Sequence, residues 1–124
     1  MNHHIDSWDT VLYAFSDGEV DLDSMLRFFE QTTTLAKDKG ISKILFDGRF
    51  LSGDLSDVQR INLAVKATDH LRQIGTHPTI AVAGNPPTHN GLAALAMQSI
   101  GADVQLFSEL REANDWLNKS LHLW

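Results

Sequence analysis

The sequence has no cysteine among its 124 residues. That excludes disulfides, thiolate nucleophiles and thiolate-held metals. It is also short of positive charge: 10 Lys and Arg stand against 16 Asp and Glu, a formal net charge of −6. A nucleic-acid binder needs a basic face to meet phosphates, and an anionic membrane surface attracts the same character, so both partner classes are disfavoured. No apolar run is long enough to insert across a bilayer. The opening MNHHIDSWD lacks the basic region and apolar core of a secretory leader, so a cytoplasmic protein is expected. The chain also lacks a Gly-x-Ser-x-Gly nucleophile elbow, and its loop GNPPTHNG (84–91) lacks the Gly-Lys-Ser/Thr ending of a phosphate-binding loop. Trp8, Trp116 and Trp124 are too scattered along the sequence for a base-stacking platform.

What is present is an ordinary globular composition, 43% hydrophobic, in a length that fits one domain over 1–124 with a real core. Strand and helix patterns alternate. TVLYAF (10–15) reads as a strand with Val11, Tyr13 and Phe15 on one face, and Asp17-Gly18 reads as a turn. Asp21 or Asp23 can cap a helix over about 22–39, ended by Lys37, Lys39 and Gly40. ISKILFD (41–47) reads as an interior strand. A polar loop with Gly48, Arg49, Ser52 and Asp54 follows, then a helix over about 57–74 with the stripe Val58, Ile61, Val65, Thr68 and Leu71 widened by Ala64 and Ala67. TIAVAG (79–84) is a short strand, broken at Asn85-Pro86-Pro87. Thr88 can cap a helix to about Ile100, and DVQLF (103–107) is the last strand. Ser108 can cap a final helix to about Asn118, with Leu110, Ala113, Trp116 and Leu117 facing inward. Residues 1–9 are read as an edge segment that adds a strand around 4–7, and 119–124 as a tail whose apolar Leu121, Leu123 and Trp124 either fold back or dock on a second subunit as a homodimer. The alternation predicts an α/β fold with a mainly parallel sheet.

The order of these pieces resembles the SpoIIAA-like branch of the STAS superfamily, the sulfate-transporter and anti-sigma-factor-antagonist domains. The residues that carry the resemblance are KILFDGRF, TIAVAG and the ending VQLFSELREANDWL with Ala113, Trp116 and Leu117. It implies a mixed, mainly parallel sheet flanked by about four helices and a regulatory or binding role without catalysis. It also implies a phosphorylatable serine at the start of the second helix, in an Asp-Ser-Ser-Gly sequence. Here the place reads Asp54-Leu55-Ser56-Asp57, so only Asp54 and Ser56 match.

The candidate binding residues gather at the carboxyl ends of the strands, where ligands of parallel sheets bind. They are Asp47, Arg49, Ser52 and Ser56 in one segment and Asn85, Thr88, His89 and Asn90 in another. Ser56 is expected to be a helix cap, boxed with Gln59. A phosphate there would gain from the helix amides but lose as much to Asp54 and Asp57. Arg49 is expected to pair with Asp47, Asp54 or a neighbouring carboxylate. The amides at the start of the helix after 84–91 suit an anion, although an exposed capped turn accounts for the same residues. Ser56, His89 and Asp47 supply a nucleophile, a base and an orienter in kind, which would make a weak hydrolase if Ser56 and His89 met. Met1-Asn2-His3 has the spacing of a square-planar Cu(II) or Ni(II) site, a spacing easily met by a frayed terminus; no metal or cofactor is expected. The expected activity is binding of a protein partner or a small apolar or anionic ligand. A small-molecule or lipid carrier would instead show a cavity between sheet and helices.

Overall fold

The computed structural model describes residues 1–119, so the apolar tail at 121–124 lies outside the described residues. β1 (Asn2–Trp8) and β2 (Val11–Glu19) form an antiparallel hairpin around the two-residue turn Asp9-Thr10, in register from Trp8↔Val11 to Asn2↔Asp17. The N-terminal segment is thus a full edge strand rather than a frayed end. Asp17-Gly18 does not turn the chain. Gly18, at φ 94°, and a register shift between Phe15 and Asp17 put an irregularity inside β2, and the strand runs on to Glu19.

Asp21 caps α1 (Leu22–Lys39), its carboxylate accepting from the Ser24 N–H at 3.1 Å, and Gly40 ends the helix in the left-handed conformation. β3 (Lys43–Ser52) is longer than the sequence pattern suggests. Phe50, Leu51 and Ser52 pair with Asp17, Gly18 and Glu19, so Asp47-Gly48-Arg49 lies within the strand and not in a loop. Ser56 caps α2 (Asp57–Ile74) through a complete capping box with Gln59. β4 (Thr79–Ala83), α3 (Leu92–Ser99), β5 (Asp103–Phe107) and α4 (Leu110–Lys119) follow among the described residues. α3 starts later than expected because Gly91, not Thr88, occupies its N-cap. At α4 the carbonyl that accepts from Ala113 N–H belongs to Glu109, which therefore takes the cap position assigned to Ser108.

The strands lie in the order β1-β2-β3-β4-β5, with β2 to β5 parallel. Crossovers of one hand between strands laid down in chain order put α1, α2 and α3 on the same face. There Ala36, Ala64, Ala67, Leu71 and Met97 pack on Leu12, Ile44, Ile80 and Val104. α4 covers the other face, with Ala113 and Leu117 against Val11, Leu45, Ala81 and Ala83.

The α2 stripe is corrected by this packing. Val58, Ile61 and Val65 are exposed, at 69%, 45% and 44%. The buried face, Arg60, Ala64, Ala67, Thr68 and Leu71, lies roughly a quarter-turn around the helix. Small side chains bring α2 close to the sheet, and the larger branched ones are left outside. Among the described residues no helix is long and apolar enough to cross a membrane.

Candidate functional site

Strand alternation separates the candidate residues onto two faces. Asp47 follows Leu45 on the α4 face, where it is 1% exposed. Its carboxylate accepts from Arg49 Nε at 2.9 Å, Arg49 Nη2 at 3.0 Å and the Tyr13 hydroxyl at 2.5 Å. This is a bidentate, charge-assisted pair, which is stronger than a surface ion pair. Burial alone pushes the Asp47 carboxyl up, but the hydrogen bonds from Arg49 and Tyr13 outweigh it and hold the pKa below the ordinary carboxylate value. Tyr13 is pushed up to about 12, first by burial and then by the Asp47 carboxylate beside it.

Tyr13 is the only tyrosine in the chain, so its titration can be read without ambiguity. The phenolate absorbance of the folded protein should rise with a midpoint near 12, against 10.0 for an unperturbed tyrosine. Asp47→Asn should move it part of the way back. The native state holds this proton more tightly than the unfolded chain does. Tyr13 therefore adds stability that is complete below pH 10 and declines as the pH rises towards 12. A midpoint at 10 in the folded protein would refute the contact.

The other face holds the second group, organised by Arg60. This residue lies on the buried stripe of α2 and is 3% exposed. Its guanidinium donates to the carbonyls of Leu55 at 3.1 Å, Thr88 at 2.7 Å and Pro87 at 2.7 Å, and to the Asp54 carboxylate. Thr88 adds a bond from Oγ1 to the Gly53 carbonyl at 2.6 Å, which is why it does not cap α3. Segment 84–91 is an exposed turn at Asn85, Pro86, Pro87 and Asn90 that is pinned to 53–55 through Thr88 and Arg60.

The pinned segment delivers the His89 ring between Gly48, inside β3, and Gly84, just past the end of β4. A β-carbon built on Gly48 would lie 2.5 Å from His89 Nε2, and one on Gly84 would overlap the ring carbons Cδ2 and Cγ. Burial lowers the His89 pKa and the Arg60 charge adds to that, with the Gly48 carbonyl acting in the opposite sense. The net effect favours the neutral imidazole. Its buried Nε2 has no hydrogen-bond partner among the described residues.

Next to the ring, a cavity of about 140 Å³ opens between the sheet and α1–α3. Phe28, Phe29, Phe46, Leu63 and Met97 supply much of its wall, and Thr88, His89 and Asn90 its polar edge. Asp47 contributes to the wall although its carboxylate is engaged on the opposite face. Arg49, Ser52, Ser56 and Asn85 are not part of it. Ser52 Oγ lies 3.4 Å from the Gly18 carbonyl, and the Asn85 carbonyl accepts from His89 N–H at 2.9 Å. Asn90 Oδ1 accepts from the Leu92 N–H at 3.0 Å, which occupies one of the α3 amides that an anion would use.

The hydrolase arrangement is not assembled. Ser56 Oγ accepts from Gln59 N–H at 3.1 Å, Asp47 is committed to Arg49 and Tyr13 across the sheet, and no hydrogen bond joins either to His89. His3 is equally committed, its ring stacked 4.1 Å from Phe28 and its Nδ1 3.3 Å from Ser16 Oγ. Among the described residues no three His, Asp or Glu side chains gather to hold a metal.

Sequence reasoning missed Arg60, Tyr13 and the glycine pair around His89. The signal for Arg60 was available: it stands in line with Ala64, Ala67 and Leu71 on a helix, where a charged residue needs a buried partner.

No protein-family model matches the chain, and no curated protein matches it. Solved structures do. The unphosphorylated form of the anti-sigma factor antagonist SpoIIAA superposes with a TM-score of 0.53 at 13% identity, over 94% of this chain and 98% of that one. The phosphorylated form of the Bacillus cell fate determinant SpoIIAA gives 0.50 at 16%, over 93% and 98%. A protein of the DUF3478 family with a SpoIIAA-like fold, from Shewanella loihica, gives 0.53 at 20%, over 94% and 92%. Among the described residues, five strands, mostly parallel, and four helices follow the same arrangement, so the chain has a SpoIIAA-like fold.

Proposed function

We propose that this is a single, cytoplasmic, non-enzymatic binding domain whose ligand is a small apolar molecule with one neutral polar group. The observation that carries this reading is the cavity of about 140 Å³ with its unpaired His89 Nε2. An apolar cavity of about 150 Å³ admits a benzene ring, which sets the ligand at roughly six to eight heavy atoms. A neutral imidazole can accept a hydrogen bond from a hydroxyl or donate one to it, and the apolar wall does not favour a free anion. Phenol is the natural probe. In isothermal titration and methyl NMR it should bind, perturb Met25 and Met97, and raise the unfolding midpoint; His89→Leu should weaken phenol more than toluene. Stabilisation by inorganic phosphate with no response to phenol would overturn the reading.

A second reading, contact with a protein partner, is favoured by the exposed stripe Val58, Ile61 and Val65 on α2, since an apolar patch on a helix face marks an interaction surface. It is compatible with ligand control of a regulatory domain. SpoIIAA is an anti-sigma factor antagonist, and this chain shares its fold. Ser56 serves here as the cap, so the signal would come from the cavity and not from phosphorylation of that residue.

A further inference from the structure

Among the described residues β1 is an edge strand, hydrogen-bonded on one side only. In a hairpin with a two-residue turn the closing pair exchanges both backbone bonds, and bonded and non-bonded pairs then alternate. Trp8↔Val11 closes this hairpin, so Asp6, His4 and Asn2 also face β2, and the N–H and C=O groups of Ser7, Ile5 and His3 point outward. The Ser7 amide agrees: it donates to its own neighbour, Asp6 Oδ1, at 2.8 Å rather than to β2. The opposite edge of the sheet is partly closed, because the Gln98 side chain donates to the Val104 carbonyl of β5.

We infer that β1 pairs antiparallel with β1 of a second copy of this chain, about a two-fold axis at Ile5, joining the two sheets into one. The register follows from the strand itself. Pairing Ile5 with Ile5 sets His3 opposite Ser7 on both sides, so about six backbone bonds form once each Ser7 amide exchanges its Asp6 carboxylate for the His3 carbonyl of the second copy. The same register puts His4 opposite Asp6 at both non-bonded positions, where side chains come closest and an imidazole N–H can donate to a carboxylate. Slipping by two residues one way sets His4 against His4; the other way sets Asp6 against Asp6. Both slips lose backbone bonds, and the second opposes two carboxylates. The sequence of β1 thus selects one register and disfavours its neighbours. An isologous pair of this kind closes on itself and leaves no propagating edge at β1.

Analytical ultracentrifugation from low to high micromolar concentration tests the pairing. The wild-type chain should reach a reversible dimer. Ile5→Pro should be monomeric, since it removes the central outward N–H and sets a ring on the free edge while leaving the bonds to β2 in place. Its thermal unfolding, compared with wild type at a concentration where both are monomeric, controls for folding. Asp6→Lys should weaken the dimer tenfold or more without that risk, and the exchange H4D/D6H should restore much of it. A wild-type chain that stays monomeric at the highest concentration would overturn the proposal. So would an Ile5→Pro or Asp6→Lys variant that dimerises as tightly as wild type, or a dimer that needs only residues 120–124.

Discussion

Arg60→Ala should destabilise the protein by about 2–4 kcal/mol, because it strips the donor from three carbonyls, and a buried acceptor left unpaired costs about 1–3 kcal/mol. Such a loss is a large fraction of the 5–15 kcal/mol that holds a typical domain folded, roughly speaking. The guanidinium is 3% exposed and serves three carbonyls and one carboxylate. Its removal strands the acceptors of Leu55, Pro87 and Thr88 and leaves the space of a long side chain unfilled. Arg60→Lys should recover only part of the loss, because one ammonium cannot reach acceptors spread around a planar fork. Urea unfolding measures both variants. The phenol response provides a second readout, since the same contacts hold His89 at the cavity. A loss below about 1 kcal/mol for Arg60→Ala would show that water replaces the clamp without cost.

Gly84→Ala should cost about 3 kcal/mol, the upper part of the range for overpacking a filled site, because the new methyl group occupies the place of the His89 ring. The backbone at Gly84 is not in the left-handed region, so the penalty is a matter of space alone. That gives a sharp test. In a His89→Ala background the ring is gone, and the same Gly84→Ala change should cost less than about 0.5 kcal/mol. The two substitutions should then couple strongly in a double-mutant cycle, as residues in contact do. Equal costs in both backgrounds would place the ring elsewhere.

Much of this architecture was legible in the residues. α1 and α2 match their sequence bounds because each carries strong local punctuation: Asp21 and Gly40 for one, Ser56 with Gln59 and Gly75 for the other. Where punctuation was ambiguous the reading slipped. Asp17-Gly18 has turn chemistry, yet it sits inside β2 because the extended end of β3 offers it a partner strand. Thr88 has capping chemistry, yet its hydroxyl is taken by Gly53, and only the tertiary fold brings that carbonyl near. The α2 face was misread because alanines weigh little beside Val58 and Ile61, although small residues are what a helix lying close to a sheet requires. Among the candidate residues, the pattern named the Asp47–Arg49 pair as one of its options. It could not give the distribution over two faces, nor a cavity, because both depend on which side of each strand a residue occupies and on side chains meeting from distant segments.

The strand order has a kinetic consequence. Each strand pairs with the one before it and the one after it in the chain, so no pairing waits for a distant segment to arrive. The entropy lost in closing each link is that of a short loop or a single crossover, and the average sequence separation of contacts is correspondingly low for a sheet protein. Such a chain can add its units one after another, beginning with the local β1–β2 hairpin. Its refolding in stopped flow should therefore be fast for a parallel-sheet domain of this size.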